Sequence, residues 1–173
     1  MAKTDAFFIR QRVTCDSTTF KQETIDLGAF VDALGKSVLK IHSVSVEYKD
    51  STATNQVIGV TAGPGLLYCS WQLTTQSQGA LVYADDRSVV SNGLLEVYNA
   101  SGTGGISTGS NDTINLNPEN WKDGYLIAVE AMYLGAQQTV QPSTGALDVT
   151  IVLECTVETL TKEAAMALAL SQQ

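Results

Sequence analysis

The alternation of apolar and polar residues from Leu147 to Thr159 constrains the fold more than any other part of the sequence. Only Val152 breaks the pattern, and a period of two residues is typical of a β-strand that buries one of its faces. At about 3.3 Å per residue, such a strand is on the order of 40 Å long, which favours a central position in a sheet. The sequence therefore predicts a β fold whose core includes this strand.

Several other segments alternate in the same way or are rich in β-branched and aromatic residues, and they also predict strands. These segments are residues 6–15, 17–25, 37–49, 56–61, 66–74, 80–83, 88–99 and 124–135. Two polar segments, 101–117 and 136–145, predict loops. With about eight strands and no alternation of strands with helices, the predicted fold is mostly β, a jelly-roll β-sandwich or barrel with a short C-terminal helix, in one domain spanning residues 1–173.

The strand predicted at 37–49 contains a change of phase. Leu39 and Ile41 have one parity, whereas Val44, Val46 and Tyr48 have the opposite parity. A regular strand would turn one of these two apolar sets toward water, whereas a single extra residue keeps both sets inside. We therefore predict a β-bulge at His42 or Ser43.

The segment before this strand predicts a corner. Asp26 precedes the apolar residues Leu27, Phe30 and Val31, and Gly35 follows them. This spacing fits a helical turn that an aspartate caps and a glycine ends. A strand, a helical turn and a long strand in succession are typical of a chain that passes from one sheet to another.

The last segment, residues 160–173, has a helical pattern. Thr161 is followed by the alanine-rich sequence KEAAMALALS, and threonine in this place is typical of a helix N-cap. A helix of about ten residues is marginal in isolation, and Met166, Leu168 and Leu170 leave it little polar surface. We predict that this helix docks on the barrel or on a neighbouring subunit, with Met166, Leu168 and Leu170 as interface residues.

The charge and the cysteine content disfavour several classes of protein. The net charge is −8 and the ten basic residues are scattered, so direct binding of nucleic acid is disfavoured. The three cysteines, Cys15, Cys69 and Cys155, are widely spaced and the chain has one histidine, so neither a disulfide framework nor a zinc site is expected. Cys155 is interpreted as a buried thiol. No apolar run fits a signal peptide or a membrane span, and the chain is expected to be made and kept in a cytoplasm.

No catalytic, cofactor-binding or metal-binding constellation stands out. His42 could act with a nearby serine such as Ser43, but a GxSxG motif is absent and a histidine on a polar strand face is more often solvated. Asp85 and Asp86 could bind calcium or act in glycoside hydrolysis, but they fit a solvated turn better. The glycine-rich run 102–105 lacks the Lys-Ser/Thr pair of a phosphate-binding loop. The chain is not expected to be an enzyme.

Three neighbouring motifs carry a resemblance to a known family. They are the corner DLGAFVD at 26–32, the LGK step at 34–36, and the strand 38–48 with its Ile-His pair. In these motifs the chain resembles the small major capsid proteins, each a single jelly roll, of tailless icosahedral viruses of thermophilic bacteria and archaea. Those viruses contain double-stranded DNA inside an inner lipid membrane.

The resemblance implies a fold and a function. The fold would be two four-stranded sheets standing roughly perpendicular to the shell surface. The protein would be made in the host cytoplasm, pair with itself as a dimer, and assemble with a second, larger capsid protein into the icosahedral virion. The loops 101–117 and 136–145 would lie at the ends of the barrel, where they contact neighbouring capsomers or the inner viral membrane.

Two other classes of protein fit the residues. A β-sandwich module that binds a small molecule or a glycan has the same abundance of strands, although Trp71 and Trp121 are interpreted as a core residue and a loop anchor rather than a sugar platform. A metal-dependent jelly-roll enzyme needs several histidine ligands, and this chain has one.

Overall fold

A computed structural model describes residues 4–32, 36–52, 65–99, 108–139 and 146–172. In these ranges the chain forms nine strands, a single 3-10 turn and one α-helix. The strands are β1 (Phe7–Cys15), β2 (Lys21–Asp26), β3 (Ser37–Asp50), β4 (Gly65–Thr74), β5 (Val89–Asn99), β6 (Thr108–Leu116), β7 (Tyr125–Ile127), β8 (Ala131–Gln138) and β9 (Leu147–Thr159). The 3-10 turn is Pro118–Asn120, and the helix α1 is Lys162–Ser171.

The strands form two antiparallel sheets. The first sheet has the order β1-β9-β3-β7, and the second has the order β2-β8-β4-β5-β6. When the edge strand β6 is set aside, each sheet has four strands, and successive strands such as β1 and β2, or β3 and β4, lie in opposite sheets. This strand order is that of a jelly roll, so the predicted fold is confirmed.

The core lies between the two sheets and takes side chains from both. Along β9, the alternation predicts the buried face correctly, because Leu147, Val149, Ile151, Leu153 and Cys155 are all fully buried. Complete burial of a side chain such as leucine or isoleucine stabilises the fold by about 1.5–3 kcal/mol. The largest fully buried side chains are Trp71, Leu27, Leu39, Ile41, Leu67, Leu73, Ile127, Met132, Leu134, Leu147, Ile151 and Leu153.

The predicted bulge in β3 is confirmed. The pairing of β3 with β9 shifts register between Ile41 and Ser43, so His42 is the extra residue. Ile41 before the bulge and Val44 after it are therefore both buried, although they have opposite parity in the sequence. The bulge lets one long strand keep a single apolar face.

The predicted helical turn after β2 is also present. The carbonyl of Leu27 accepts a hydrogen bond from the amide of Val31 at 2.9 Å, and the Asp26 carboxylate accepts one from the amide of Gly28, also at 2.9 Å. Leu27 and Val31 are both buried, so the turn closes one end of the core. Gly35, which was predicted to end the turn, lies outside the described residues.

The prediction of a loop at 101–117 is wrong for its second half. Residues 108–116 form β6, which pairs along its whole length with β5 and leaves its other edge unpaired within the described sheets. The polar sequence is tolerated because an edge strand has much of its surface in water, and Ile114 still packs against the core. Residues 101–107 lie outside the described part of the chain.

The prediction of one strand at 124–135 is also wrong. The segment is divided into β7 in the first sheet and β8 in the second, so the chain changes sheets between them. The buried parity changes at the same place: Ile127 is buried in β7, whereas Met132 and Leu134 are buried in β8 and Tyr133 is only partly covered. Local alternation cannot show that the two halves face different layers.

Residues 80–83, which were predicted as a short strand, form an irregular segment instead. The side-chain amide of Gln72 holds them against the outer face of β4, since it donates to the carbonyl of Ala80 at 3.0 Å and accepts from the amide of Val82 at 2.8 Å. Gln72 is almost fully buried by this contact. The segment thus takes its shape from a side chain and not from strand pairing.

Other boundaries differ modestly from the prediction. The second strand begins at Lys21 rather than at residue 17, and β8 continues to Gln138, into the segment predicted as a loop at 136–145. The strand predicted at 56–61 and the residues 140–145 lie outside the described ranges. The strand at 88–99 is found as β5, and its pairing with β6 is irregular between Asn92 and Gly93.

Candidate assembly surfaces

The C-terminal helix docks on the jelly roll of its own chain. Thr161 is the N-cap, as predicted, and its hydroxyl accepts a hydrogen bond from the amide of Ala164 at 3.3 Å. The helix buries a narrow stripe that includes Ala165 and Ala169, which pack with Val38 of β3. Alanine side chains are small and let the helix lie close to the sheet. This packing stabilises a helix that is too short to be stable in isolation.

Gln172, directly after the helix, ties the chain end to both sheets. Its side-chain amide accepts a hydrogen bond from the amide of Ala128 at 2.9 Å and donates one to the carbonyl of Leu126 at 2.7 Å, on the free edge of β7. Its backbone carbonyl accepts hydrogen bonds from Thr75 at 2.9 Å and Gln76 at 3.3 Å, which follow β4. Gln172 is almost fully buried, and no signal in the sequence separates it from an ordinary polar tail residue.

The structure separates the three residues that the sequence put forward as an interface. Leu168 is partly buried and packs against the cluster formed by Val38 and the helix alanines. Met166 and Leu170 lie one turn apart on the solvent side, where they are 41% and 68% exposed. We call this pair, Met166 and Leu170, the helix patch.

The outer face of the first sheet is polar, and its charges are paired across strands. Lys40 of β3 forms an ion pair with Glu158 of β9 at 3.2 Å. At the opposite end of β9, Asp148 accepts a hydrogen bond from Thr14 of β1 at 2.6 Å and lies 3.4 Å from the Arg12 guanidinium. These pairs resemble the cross-strand contacts that stabilise an exposed sheet, and they leave the face without a concentrated charge of one sign.

His42, which was considered for catalysis, takes part in these polar contacts between strands. The His42 ring lies 2.9 Å from the hydroxyl of Thr156 on β9, and Ser43 donates to the Glu154 carboxylate at 3.2 Å. His42 is also the extra residue of the bulge. Its position is therefore explained by strand geometry and cross-strand hydrogen bonding.

The two aspartates at 85–86 form a turn, as predicted. Asp86 accepts hydrogen bonds from the amide and the hydroxyl of Ser88, at 2.8 and 2.6 Å, and these bonds hold the pKa of Asp86 below its usual value. Within the described residues, no group of three His, Cys, Asp or Glu side chains is placed to hold a metal ion. The glycine-rich run 102–105 lies outside those residues. No helix in the described ranges is both long enough and apolar enough to cross a membrane.

A groove that the sequence did not indicate lies on the outer face of the second sheet. The irregular segment at 80–84 forms one wall, and Ser70, Gln72, Asn92 and Asn115 contribute polar side chains. Tyr83 stands at the groove and is 87% exposed. In sequence Tyr83 looks like the end of a short strand, and only the course of the chain across the sheet brings it beside the groove.

Comparison with known proteins returned solved structures alone. No family model and no curated protein matches the chain. VP1 of Trichodysplasia spinulosa-associated polyomavirus, solved with sialylated glycooligomers, is 8% identical over 88% of this chain and 95% of that chain, with a TM-score of 0.46. The capsid protein of BFDV, solved as a 60-mer, is 13% identical over 90% and 94%, with a TM-score of 0.32. A chain in the structure of Cocksfoot mottle virus is 11% identical over 93% of this chain and 100% of that chain, also with a TM-score of 0.32.

Proposed function

We propose that this protein is a structural component of a virus shell and that it associates with further copies of itself through the helix patch. The observation that carries the proposal is the position of Met166 and Leu170, which face solvent from a helix whose opposite side is fixed to the jelly roll. A shell protein needs such a surface because its assembly free energy comes from interfaces buried between subunits. The family resemblance of the corner and of the long strand supports the same function.

The helix patch is energetically suited to self-association. Complete removal of a leucine or methionine side chain from water is favourable by about 1.5–3 kcal/mol. In a two-fold symmetric dimer the same patch is used by both copies, so each side chain contributes twice. Because Ala165, Ala169 and Gln172 already hold the helix in place, little conformational entropy is lost when a second copy binds.

The resemblance leads to further parts of the proposal. We infer that residues 1–173 act as one domain, that the dimer is the first unit of assembly, and that a second, larger coat protein completes the shell. The protein would be made in the host cytoplasm and would end in the virion, where it contacts the inner viral membrane. It would not contact nucleic acid directly, since its net charge is −8. No catalytic activity is part of the proposed function.

Replacement of both Met166 and Leu170 by serine is expected to weaken self-association by at least about tenfold, because the apolar area available for burial is lost from each copy. Sedimentation velocity across a range of protein concentrations measures this change. The wild-type protein should form dimers or larger species that grow with concentration. The double variant should be mostly monomeric at the concentration where the wild type is half associated.

A matched control is Tyr83→Ser, which removes a more exposed aromatic side chain from the outer face of the second sheet. It should associate like the wild type. Circular dichroism verifies that α1 is retained in the double variant, whose substituted side chains lie mostly in solvent. A wild-type protein that is monomeric at every concentration, or a double variant that associates as strongly as the wild type, would contradict assembly through the helix patch.

The groove beside Tyr83 favours a second candidate function, the binding of a glycan. An exposed aromatic ring can stack on the apolar face of a sugar, and the amide and hydroxyl groups of Asn92, Asn115 and Ser70 can bond to sugar hydroxyls. Saturation-transfer NMR with a panel of oligosaccharides tests this candidate. A saturable signal that disappears in Tyr83→Ala would support glycan binding, and the absence of a signal from every sugar would leave the shell function alone.

A further inference from the structure

Two of the three cysteines come together in the interior of the jelly roll. Cys15 is the last residue of β1 in the first sheet, and Cys69 lies on β4 in the second sheet. Both are free thiols and both are fully buried. They therefore belong to opposite layers of the sandwich and face the same core.

Gln138 independently places these two cysteines beside each other. Gln138 of β8 is the direct cross-strand neighbour of Cys69 in the second sheet. Its side-chain amide crosses the interior and donates a hydrogen bond to the backbone carbonyl of Cys15 at 3.0 Å. A single buried side chain thus connects the backbone at Cys15 with the strand next to Cys69.

The two thiols are also close enough for each to change the pKa of the other. The hydrogen bond between their side chains lowers the pKa of Cys15 and raises that of Cys69, and burial raises the latter further. Since the thiolate is the nucleophile in disulfide exchange, either cysteine can begin the reaction once it has lost its proton.

Cys155 serves as an internal reference because it lies far from this pair. In the pairing of β1 with β9, Cys15 is opposite Leu147, whereas Cys155 is opposite Phe7. At about 3.3 Å per residue, Cys155 is about 26 Å along β9 from Leu147, the residue that lies opposite Cys15. It is fully buried, and burial raises its pKa to about 12.

We propose that Cys15 and Cys69 form a disulfide that joins the two sheets when the protein meets an oxidising environment. With a small disulfide such as glutathione disulfide as the oxidant, the thiolate of one of these cysteines attacks one sulfur and releases one glutathione. The thiolate of the other cysteine then attacks the protein sulfur of the mixed disulfide and releases the second glutathione. Two protein thiols are oxidised, one glutathione disulfide is reduced, and the two protons leave on the two glutathione molecules.

The cross-link is expected to act on the folded protein in a simple way. It closes a loop that contains β2 and β3 and fastens the end of β1 to the middle of the opposite sheet. A disulfide that closes a long loop stabilises a protein mainly by restricting its unfolded chain. The inference does not depend on the shell function, because it rests on the position of the two thiols in a single chain.

Refolding of the reduced, denatured protein in a buffer of reduced and oxidised glutathione tests the proposal without requiring that oxidant enter the closed core. The product is denatured, alkylated with a maleimide and weighed by mass spectrometry. We expect one alkylated cysteine after refolding in the glutathione buffer and three after refolding in dithiothreitol. Peptide mapping should show a bond between Cys15 and Cys69, and the melting temperature should be higher by about 5–10 °C in the oxidised form.

Three alanine variants make the result specific. Cys155→Ala should keep the rise in melting temperature and show no alkylation when oxidised. Cys15→Ala and Cys69→Ala should each show two alkylated cysteines and no difference between the oxidised and reduced forms. Three alkylated cysteines in the wild type after equilibration with the glutathione buffer, or an intrachain bond that includes Cys155, would overturn the proposal.

Discussion

Deletion of His42 is expected to lower the free energy of unfolding by about 3–6 kcal/mol, because it removes the extra residue that lets both halves of β3 face the core. If β9 keeps its register after the deletion, one half of β3 must reverse its faces. Leu39 and Ile41 are fully buried in the intact strand, and exposing two such side chains costs about 3–6 kcal/mol. That is a large part of a typical domain stability of about 5–15 kcal/mol. Urea unfolding followed by circular dichroism measures the loss.

The control for this deletion is His42→Ala, which keeps the bulge and the register. It removes the hydrogen bond between the His42 ring and Thr156, whose net value is about 1 kcal/mol. Both the deletion and His42→Ala remove the imidazole, but only the deletion shortens β3 by one residue. Equal stability of the deletion and the substitution would show that the bulge does not determine which face of β3 is buried.

Gln172→Ala is expected to lower the free energy of unfolding by about 2–4 kcal/mol, because it leaves one buried and one partly buried backbone group without their partners. The amide of Ala128 and the carbonyl of Leu126 both bond to the Gln172 side chain. Urea unfolding measures the loss of stability. Hydrogen exchange of the Ala128 amide should become faster in the variant, since that amide loses the carbonyl that protects it.

Ser171→Ala is the matched control at the neighbouring position. Ser171 is exposed, and its hydroxyl donates only to the carbonyl of Leu168 within the same helix. A surface change of this kind should alter the free energy of unfolding by less than about 0.5 kcal/mol. If Gln172→Ala behaves like Ser171→Ala and the Ala128 amide stays protected, the chain end does not hold the sheets together.

The strands that could be predicted from the sequence are those with a regular environment along their whole length. β9 lies between β1 and β3, so one of its faces meets the core at every second residue. The bulge in β3 was predictable for the same reason, because a change of phase between Ile41 and Val44 shows in the sequence as clearly as the alternation itself.

The parts that could not be predicted depend on contacts between distant segments. The sequence of β6 is as polar as a loop, and it becomes a strand because the edge of β5 offers it a partner. The segment at 124–135 alternates smoothly, yet the two halves pack in different sheets. A local pattern of alternation shows which side chains are buried, but it does not show in which of the two sheets the strand lies.

The candidate surfaces show the same division. The helix and its cap could be predicted from Thr161 and the alanine-rich sequence. The sequence also placed Leu168 in one interface with Met166 and Leu170. In the structure, the docked position of the helix turns Leu168 toward the sheet. The meeting of Cys15 and Cys69 has no sequence signal at all, because it is created by the approach of two strands from opposite layers.

The contact between Gln172 and β7 has a consequence for how copies of this chain can add to one another. A strand with free backbone groups at the rim of a sheet is a template on which another chain can extend the sheet without limit. The side-chain amide of Gln172 occupies that template at Leu126 and Ala128, as the peptide group of an added strand would. A strand added at this part of the rim would have to displace the chain end, so a shell of the proposed kind would grow through other surfaces.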